Sequence, residues 1–268
     1  MLKKSYLMES DEEVIRLDLK TDRKIVIEQA LWAGIRPGMR VADMGCGSGK
    51  TSFYLNKLAQ PNGETLGIDF SEQRINYGNS HYTAEGLVFL CRDVREPLVD
   101  IGVFDFIWIR FLLEYYRKES FQILKNIFHI LKPGGILCLI DLDYNCLTHF
   151  GIPNRLEKAI HGMMTTVEKH ADFDPYAGRK LYTYLYDLGC QEIDVKLSSH
   201  HLIYGHLKKT DEFNWSKKVE TAGEKSGYKF QEYDAGYPEF VEEFKTAFAD
   251  PRRFTYTPVI CTKGRKPI

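Results

Sequence analysis

Short apolar runs alternate along the first half of the chain with segments whose apolar residues recur every three or four positions. The runs are RVADMG (40–45), GETLGIDF (63–70), LVFLCRDV (87–94), FDFIWIR (104–110) and ILCLIDLDY (136–144). Between them, KTSFYLNKLA (50–59) has Phe53, Leu55 and Leu58 on or near one side, the spacing of a helix packed on one face. SEQRINYGNSHYTAEG (71–86) is a second such segment, with Ser71 placed to cap it. RKESFQILKNIFHILKPGG (117–135) turns Phe121, Leu124, Ile127 and Phe128 inward and stops at Pro133-Gly134-Gly135. Ahead of them, residues 11–34 read as helical, ending at Gly34 and closed by Pro37.

Strands that are apolar throughout and alternate with helices mark a parallel sheet covered on both faces. After Tyr144 the rhythm loosens. A helix is expected in NRLEKAIHGMMTTVEKHA (154–171) and another over 176–189, ending at Gly189. CQEIDVKLSSHHLIYG (190–205) and FTYTPVICTKG (254–264) add two strands, separated by a mostly helical stretch rich in Tyr, Phe and Lys. The expectation is a doubly wound α/β fold: one domain over 1–268, with a mostly parallel, seven-stranded, Rossmann-like sheet. It divides into an amino-terminal helical segment (1–35), a core (36–144) and helical cap insertions at 145–175 and 204–252.

Composition narrows the partners. The chain has 268 residues, enough for a sizeable core. With 36 Lys and Arg against 37 Asp and Glu, it has no basic excess for wrapping nucleic acid. The six cysteines form no CxxC pair and read as buried free thiols in a reducing compartment. MLKKSYLMESDEE turns acidic too soon for a secretory signal, and no apolar run approaches the roughly 18 residues of a membrane helix. A cytoplasmic protein is expected, monomeric or homodimeric.

Open parallel sheets bind ligands at the carboxyl ends of their strands. The polar residues there are Asp43, Asp69, Asp93, Arg110 and Asp141. The loop after the first strand, MGCGSGKT (44–51), ends like a phosphate-binding P-loop. That motif requires glycine five residues before Gly49, where Met44 stands. An NTP-binding reading through Gly47–Thr51 nevertheless keeps an acid for magnesium in Asp141. A dinucleotide GxGxxG fails at its third glycine, which is Lys50.

VADMGCGSG (41–49) resembles motif I of the class I S-adenosylmethionine (SAM)-dependent methyltransferases, and the resemblance continues in order. GIDFSEQRI resembles their acid ending strand two, and CRDVRE the acid after strand three. FDFIWIRFLLEY resembles strand four, and LKPGGILCLID the turn into strand five. Together these motifs span 39–142. Weaker similarity extends to YLMESDEEVIRLDL and FTYTPVICTKGRKP, which look like the ends of some small-molecule methyltransferases.

The resemblance implies a SAM site. Gly45, Cys46 and Gly47 would let the backbone approach the ligand. Asp43 would meet the methionyl ammonium, Asp69 the ribose hydroxyls, Phe70 an adenine face, and Asp93 the adenine amino group with Val94 beside it. Ile109 and Arg110 would adjoin the methionine, while Tyr6 and Arg16 would close the site. Each has a structural alternative: Asp43 a cap of the glycine turn, Asp93 a partner of Arg92 or Arg95, Arg110 a pair with Glu114.

Methyl transfer needs a base only when the acceptor is protonated. His161, His170, His200, His201, Tyr204 and His206 are candidates, and none is singled out. No metal site is expected, since the paired histidines lack partners at ligand spacing. WIRF (108–111) stands where base- and glutamine-modifying relatives carry Asn/Asp-Pro-Pro-Tyr/Phe. The expected acceptor is a small molecule, methylated on O or N, and partly apolar or aromatic. It rests on the aromatic residues of the insertions, Tyr144, Phe150, Phe173, Tyr176, Tyr204, Phe213 and Trp215, for which the core of the cap is an equal alternative. A SAM-binding module without activity is the remaining alternative.

Overall fold

A computed structural model describes residues 13–268. Its elements run α1 (Glu13–Lys20), α2 (Arg23–Ala33), β1 (Arg40–Met44), α3 (Lys50–Ala59), β2 (Glu64–Asp69), α4 (Glu72–His81), β3 (Leu87–Cys91), β4 (Phe104–Arg110), α5 (Ser120–His129) and β5 (Leu131–Leu142). Then follow β6 (His149–Phe150), α6 (Asn154–His170), α7 (Leu181–Asp187), β7 (Gln191–Ile203), α8 (Lys209–Ser226), α9 (Tyr237–Ala249) and β8 (Phe254–Arg265).

The sheet order is β3-β2-β1-β4-β5-β8-β6, with β7 also paired to β8. β1 to β5 pair in parallel, whereas β6, β7 and β8 join antiparallel. The sheet has eight strands rather than seven. The extra one, β6, is two residues long, too short for any alternation to announce it. Residues 13–34, expected to be helical, form two helices. Asp22 interrupts them by accepting from the Lys24 and Ile25 N–H groups and capping α2.

Strand side chains alternate between two cores. Ala42, Met44, Ile107, Ile109, Leu137 and Leu139 face one side, under α5 and α7. Val41, Phe106, Trp108, Ile136, Cys138 and Ile140 face the other, under α2 and α3. A third core, remote in sequence, gathers α6, α8 and α9 around Phe230, Phe240, Phe244, Phe248 and Trp215. Of the cysteines, Cys46, Cys138 and Cys261 are buried and Cys91 is exposed; all are free thiols. No helix among the described residues is long and apolar enough to cross a membrane.

Candidate active site

The loop between β1 and α3 turns on Gly45 (φ 77°), Gly47 (φ 55°) and Gly49 (φ 85°), conformations that side chains resist. Space is short as well. A Cβ at Gly45 would stand 2.8 Å from Leu112, and one at Gly49 2.7 Å from the Phe89 ring. The loop is tied to β2, for the Gly45 and Cys46 N–H groups both donate to the Ile68 carbonyl.

Asp69 ends β2 beneath this loop. One carboxylate oxygen accepts from the Gly47 N–H at 3.0 Å, the other from the Ser71 N–H at 3.0 Å and Arg74 Nη1 at 3.4 Å. Of the roughly four acceptor sites of a carboxylate these bonds use three; one remains, on the oxygen bonded to Gly47, and Asp69 borders a cleft. The cleft encloses about 810 Å³, counting space open to solvent. Gly45, Cys46, Gly47, Asp69, Phe70, Val94 and Arg110 all line it. Phe70 offers a partly exposed ring.

Asp43, Asp93 and Ile109 lie outside this lining. Asp43 follows Val41 in the strand alternation and so points under α3, behind the cleft wall, where Ser52 Oγ donates to it at 2.6 Å. Burial pushes its carboxyl up to about 7, against the Ser52 hydrogen bond and the nearby Arg110 charge. Asp93 is held by Arg95 through both oxygens. Burial raises its carboxyl, but those bonds outweigh it and leave it below the usual range. Ile109 is core, 1% exposed. Arg110 does not pair with Glu114. Burial lowers its guanidinium to about 10, with Cys261, Asp43, Asp141 and Asp22 acting in the opposite direction, and it stacks 4.0 Å from the Phe111 ring centre. Its buried Nε finds no acceptor among the described residues. Tyr6 lies outside the described residues.

Helix α1 covers the cleft. Asp18 accepts from Tyr82 Oη and, through its carbonyl, from Lys50 Nζ at 2.7 Å. This clamp lays Leu17, Lys20 and Thr21 over the glycine loop, where they join Tyr115 and Tyr116 in the lining. None of these was legible as a site residue. In sequence, Lys20 reads as the basic last turn of a helix, and only contacts with residues far along the chain reveal its place.

A second cavity of about 520 Å³ lies between the sheet and α6 and α8, sharing Lys20 and Tyr115 with the first. Arg16 lines this second cavity, not the first, and Glu13 grips its guanidinium twice at 2.7 Å. Glu114 lines it too, accepting from Asn145 Nδ2 at 2.8 Å; burial raises its carboxyl. Burial, and then Arg16, lowers the Lys20 ammonium to about 7. Of the base candidates among the described residues, His200 lines this cavity; burial, and then His201, holds its imidazole well below the ordinary value. Phe111 (φ 56°), Tyr144 (φ 50°) and Cys146 (φ 65°), all in or beside the two cavities, adopt left-handed backbone, a strain that folds tolerate mainly at working sites. Among the described residues no cluster of three His, Cys, Asp or Glu is placed to hold a metal.

The P-loop ending loses both its ligands here. Lys50 is spent on Asp18. Asp141 is fully buried and accepts from the Glu114 and Leu142 N–H groups, its carboxyl raised well above the usual range by burial and Glu114.

Residues 41–135 match the family described as a methyltransferase domain. A demethylmenaquinone methyltransferase of Staphylococcus aureus (strain JH9) is 33% identical over 118 residues, 44% of this chain and 48% of that protein. The chain thus spans about half the length of the curated relatives it matches. Among solved structures, a phosphoethanolamine N-methyltransferase 2 of Haemonchus contortus, in complex with phosphomonomethylethanolamine and S-adenosylhomocysteine, superposes with a TM-score of 0.60. It is 14% identical, over 97% of this chain and 58% of that one. A cyclopropane-fatty-acyl-phospholipid synthase-like protein from Lactobacillus casei gives 0.58 at 12% identity, over 96% and 94%. At such identities the likeness is one of fold.

Proposed function

We propose that this chain, whose residues 41–135 match the methyltransferase-domain family, is a class I SAM-dependent enzyme that moves a methyl group from SAM to a small-molecule acceptor. The observation that carries the reading is the pair of adjoining cavities. One is floored by glycines and an acid ending β2; the other lies under the α6–α8 cap, and Lys20 and Tyr115 line both.

The first cavity suits the cofactor's chemistry. Its glycine turns leave no room for side chains under Leu112 and Leu17, so backbone alone borders the ligand. Asp69 keeps one acceptor site for a ribose hydroxyl, and Phe70 and Val94 offer apolar faces to adenine. Arg110 lines the cleft and would meet the carboxylate of an amino-acid zwitterion, while Asp43, on the same sheet face behind the wall, would reach its ammonium through water. Asp93, already bonded to Arg95, serves at the rim. When bound, SAM supplies an activated methyl whose leaving group is a neutral sulfide. The protein's part is alignment of the acceptor and exclusion of water, which α1 and the cap provide. We read 1–35 and the insertions 145–175 and 204–252 as covers on one catalytic domain. The acceptor cavity, walled by Leu142, Met164, Val167 and Phe173, favours a partly apolar molecule.

Incubation with methyl-labelled SAM and a panel of hydroxyl and amine acceptors tests the assignment. Label recovered in an acceptor supports it. SAM binding without transfer to any acceptor would instead indicate a binding module.

A further inference from the structure

Among the described residues, the second cavity holds charge in excess of its partners. Arg16 is neutralised by Glu13. Among the described residues Glu114 is the other carboxylate beside this space, and its hydrogen bonds come from the neutral Asn145 and Tyr115. Against it stand two ammonium groups. Lys218, on α8, donates to Asn145 Oδ1 at 3.3 Å and lies 3.8 Å from Cys146 Sγ, both uncharged. Lys20, on α1, stands 5.4 Å over the Phe111 ring. Both feel the field of Glu114, yet neither is held in a salt bridge to it. His200 on β7 remains neutral and Arg110 on β4 adds positive field from the sheet side. Among the described residues two cations therefore share one carboxylate in a space whose apolar wall includes Leu142, Met164, Val167 and Phe173.

Buried cations are ordinarily paired, because desolvating an ammonium without a partner is costly. An excess positive charge kept beside an apolar wall is a binding device when a ligand brings the missing anion. We infer that the second cavity takes an acceptor with an apolar body and one acidic oxygen group, carboxylate or phosphate, seated between Lys20 and Lys218. This rests on reading that cavity as the acceptor site. The oxyanion would accept charge-assisted hydrogen bonds from both ammonium groups, while the body packs on Met164, Val167 and Phe173. Lys20 also lines the first cavity, so the acid stands at the wall common to both. A neutral analogue of the same shape leaves the two ammonium groups unpaired and gains only the apolar contacts. Burial and the neighbouring Arg16 already disfavour the charged form of Lys20, as expected of a cation waiting for a partner.

The test uses the full chain, titrated calorimetrically with three matched series of phenylalkyl ligands: carboxylates, phosphate monoesters and alcohols, each with and without S-adenosylhomocysteine. At least one acid series should bind about tenfold or more tighter than its alcohols, the size of one charge-assisted interaction. Whichever acid series wins identifies the oxyanion. Lys218→Met and Lys20→Met should each reduce the preference severalfold, Lys218→Arg should keep it, and neither methionine variant should melt below the parent. Equal affinity for acids and alcohols, no binding by any series, or a preference that survives both methionine changes would overturn the inference. S-adenosylhomocysteine binding separates the two readings. Retained cofactor binding without acid preference removes this inference alone, and acid preference without cofactor binding removes the methyl-donor reading alone.

Discussion

Asp43 shows how a single buried acid couples stability to binding. Its carboxyl titrates near 7 in the folded chain against 3.8 ordinarily, so the native state holds a proton that the unfolded chain releases at lower pH. The stability that proton confers is fully present below 3.8 and is lost as pH rises through 7. Asp43→Asn, which mimics the neutral form, should therefore gain stability over the parent above pH 7 and converge with it near pH 4, an approximate bound set by the unfolded carboxyl. Urea unfolding across that range checks this. If the ionised carboxylate meets the cofactor's ammonium, affinity for S-adenosylhomocysteine should fall about tenfold per pH unit below 7 in the parent and lose that slope in Asp43→Asn. A second residue-scale prediction concerns Gly49. With φ 85° and a Cβ position 2.7 Å from Phe89, Gly49→Ala should cost about 2–4 kcal/mol in urea unfolding, from left-handed strain and overpacking together. The glycines and Asp69 were legible because a short apolar strand ending in an acid or a glycine turn leaves few other uses for those residues. The orientation of Asp43 was not, since it depends on strand parity relative to α3.

At the scale of elements, the lid is held by a few polar contacts. Asp18 on α1 receives Lys50 from α3 and Tyr82 from the end of α4. Lys50→Ala should loosen α1, speeding hydrogen exchange over 13–20 and weakening S-adenosylhomocysteine binding severalfold. Global stability should move by less than about 1 kcal/mol, as befits a partly exposed pair. A P-loop reading predicts something different, the loss of magnesium-dependent ATP binding. Helix and strand positions were readable from periodicity because most side chains face a core on one side only. What the spacing could not carry is which distant element each polar residue meets. Lys20, Glu114 and Lys218 come from three separate elements, and only the folded topology brings them to one cavity.

Across the whole molecule, the sheet and the cap are separate packing units joined around the two cavities. Phe240, fully buried in the cap cluster, should cost about 3–5 kcal/mol when cut to Ala. If the cap serves the acceptor and the sheet serves the cofactor, Phe240→Ala should lose acceptor binding while retaining S-adenosylhomocysteine binding below its melting temperature. The overall architecture was foreseeable from alternating strands and helices; the division of labour between sheet and cap required the cores to be seen. The central claim is that the glycine-floored cleft beside Asp69 is a SAM site. Isothermal titration of the full chain with S-adenosylhomocysteine, parent against Asp69→Ala, tests it most directly. Saturable one-to-one binding in the parent, weakened by about 1–3 kcal/mol in Asp69→Ala through the lost ribose hydrogen bond, is the predicted result. No heat of binding in folded parent protein, or equal affinity in the two proteins, would contradict it.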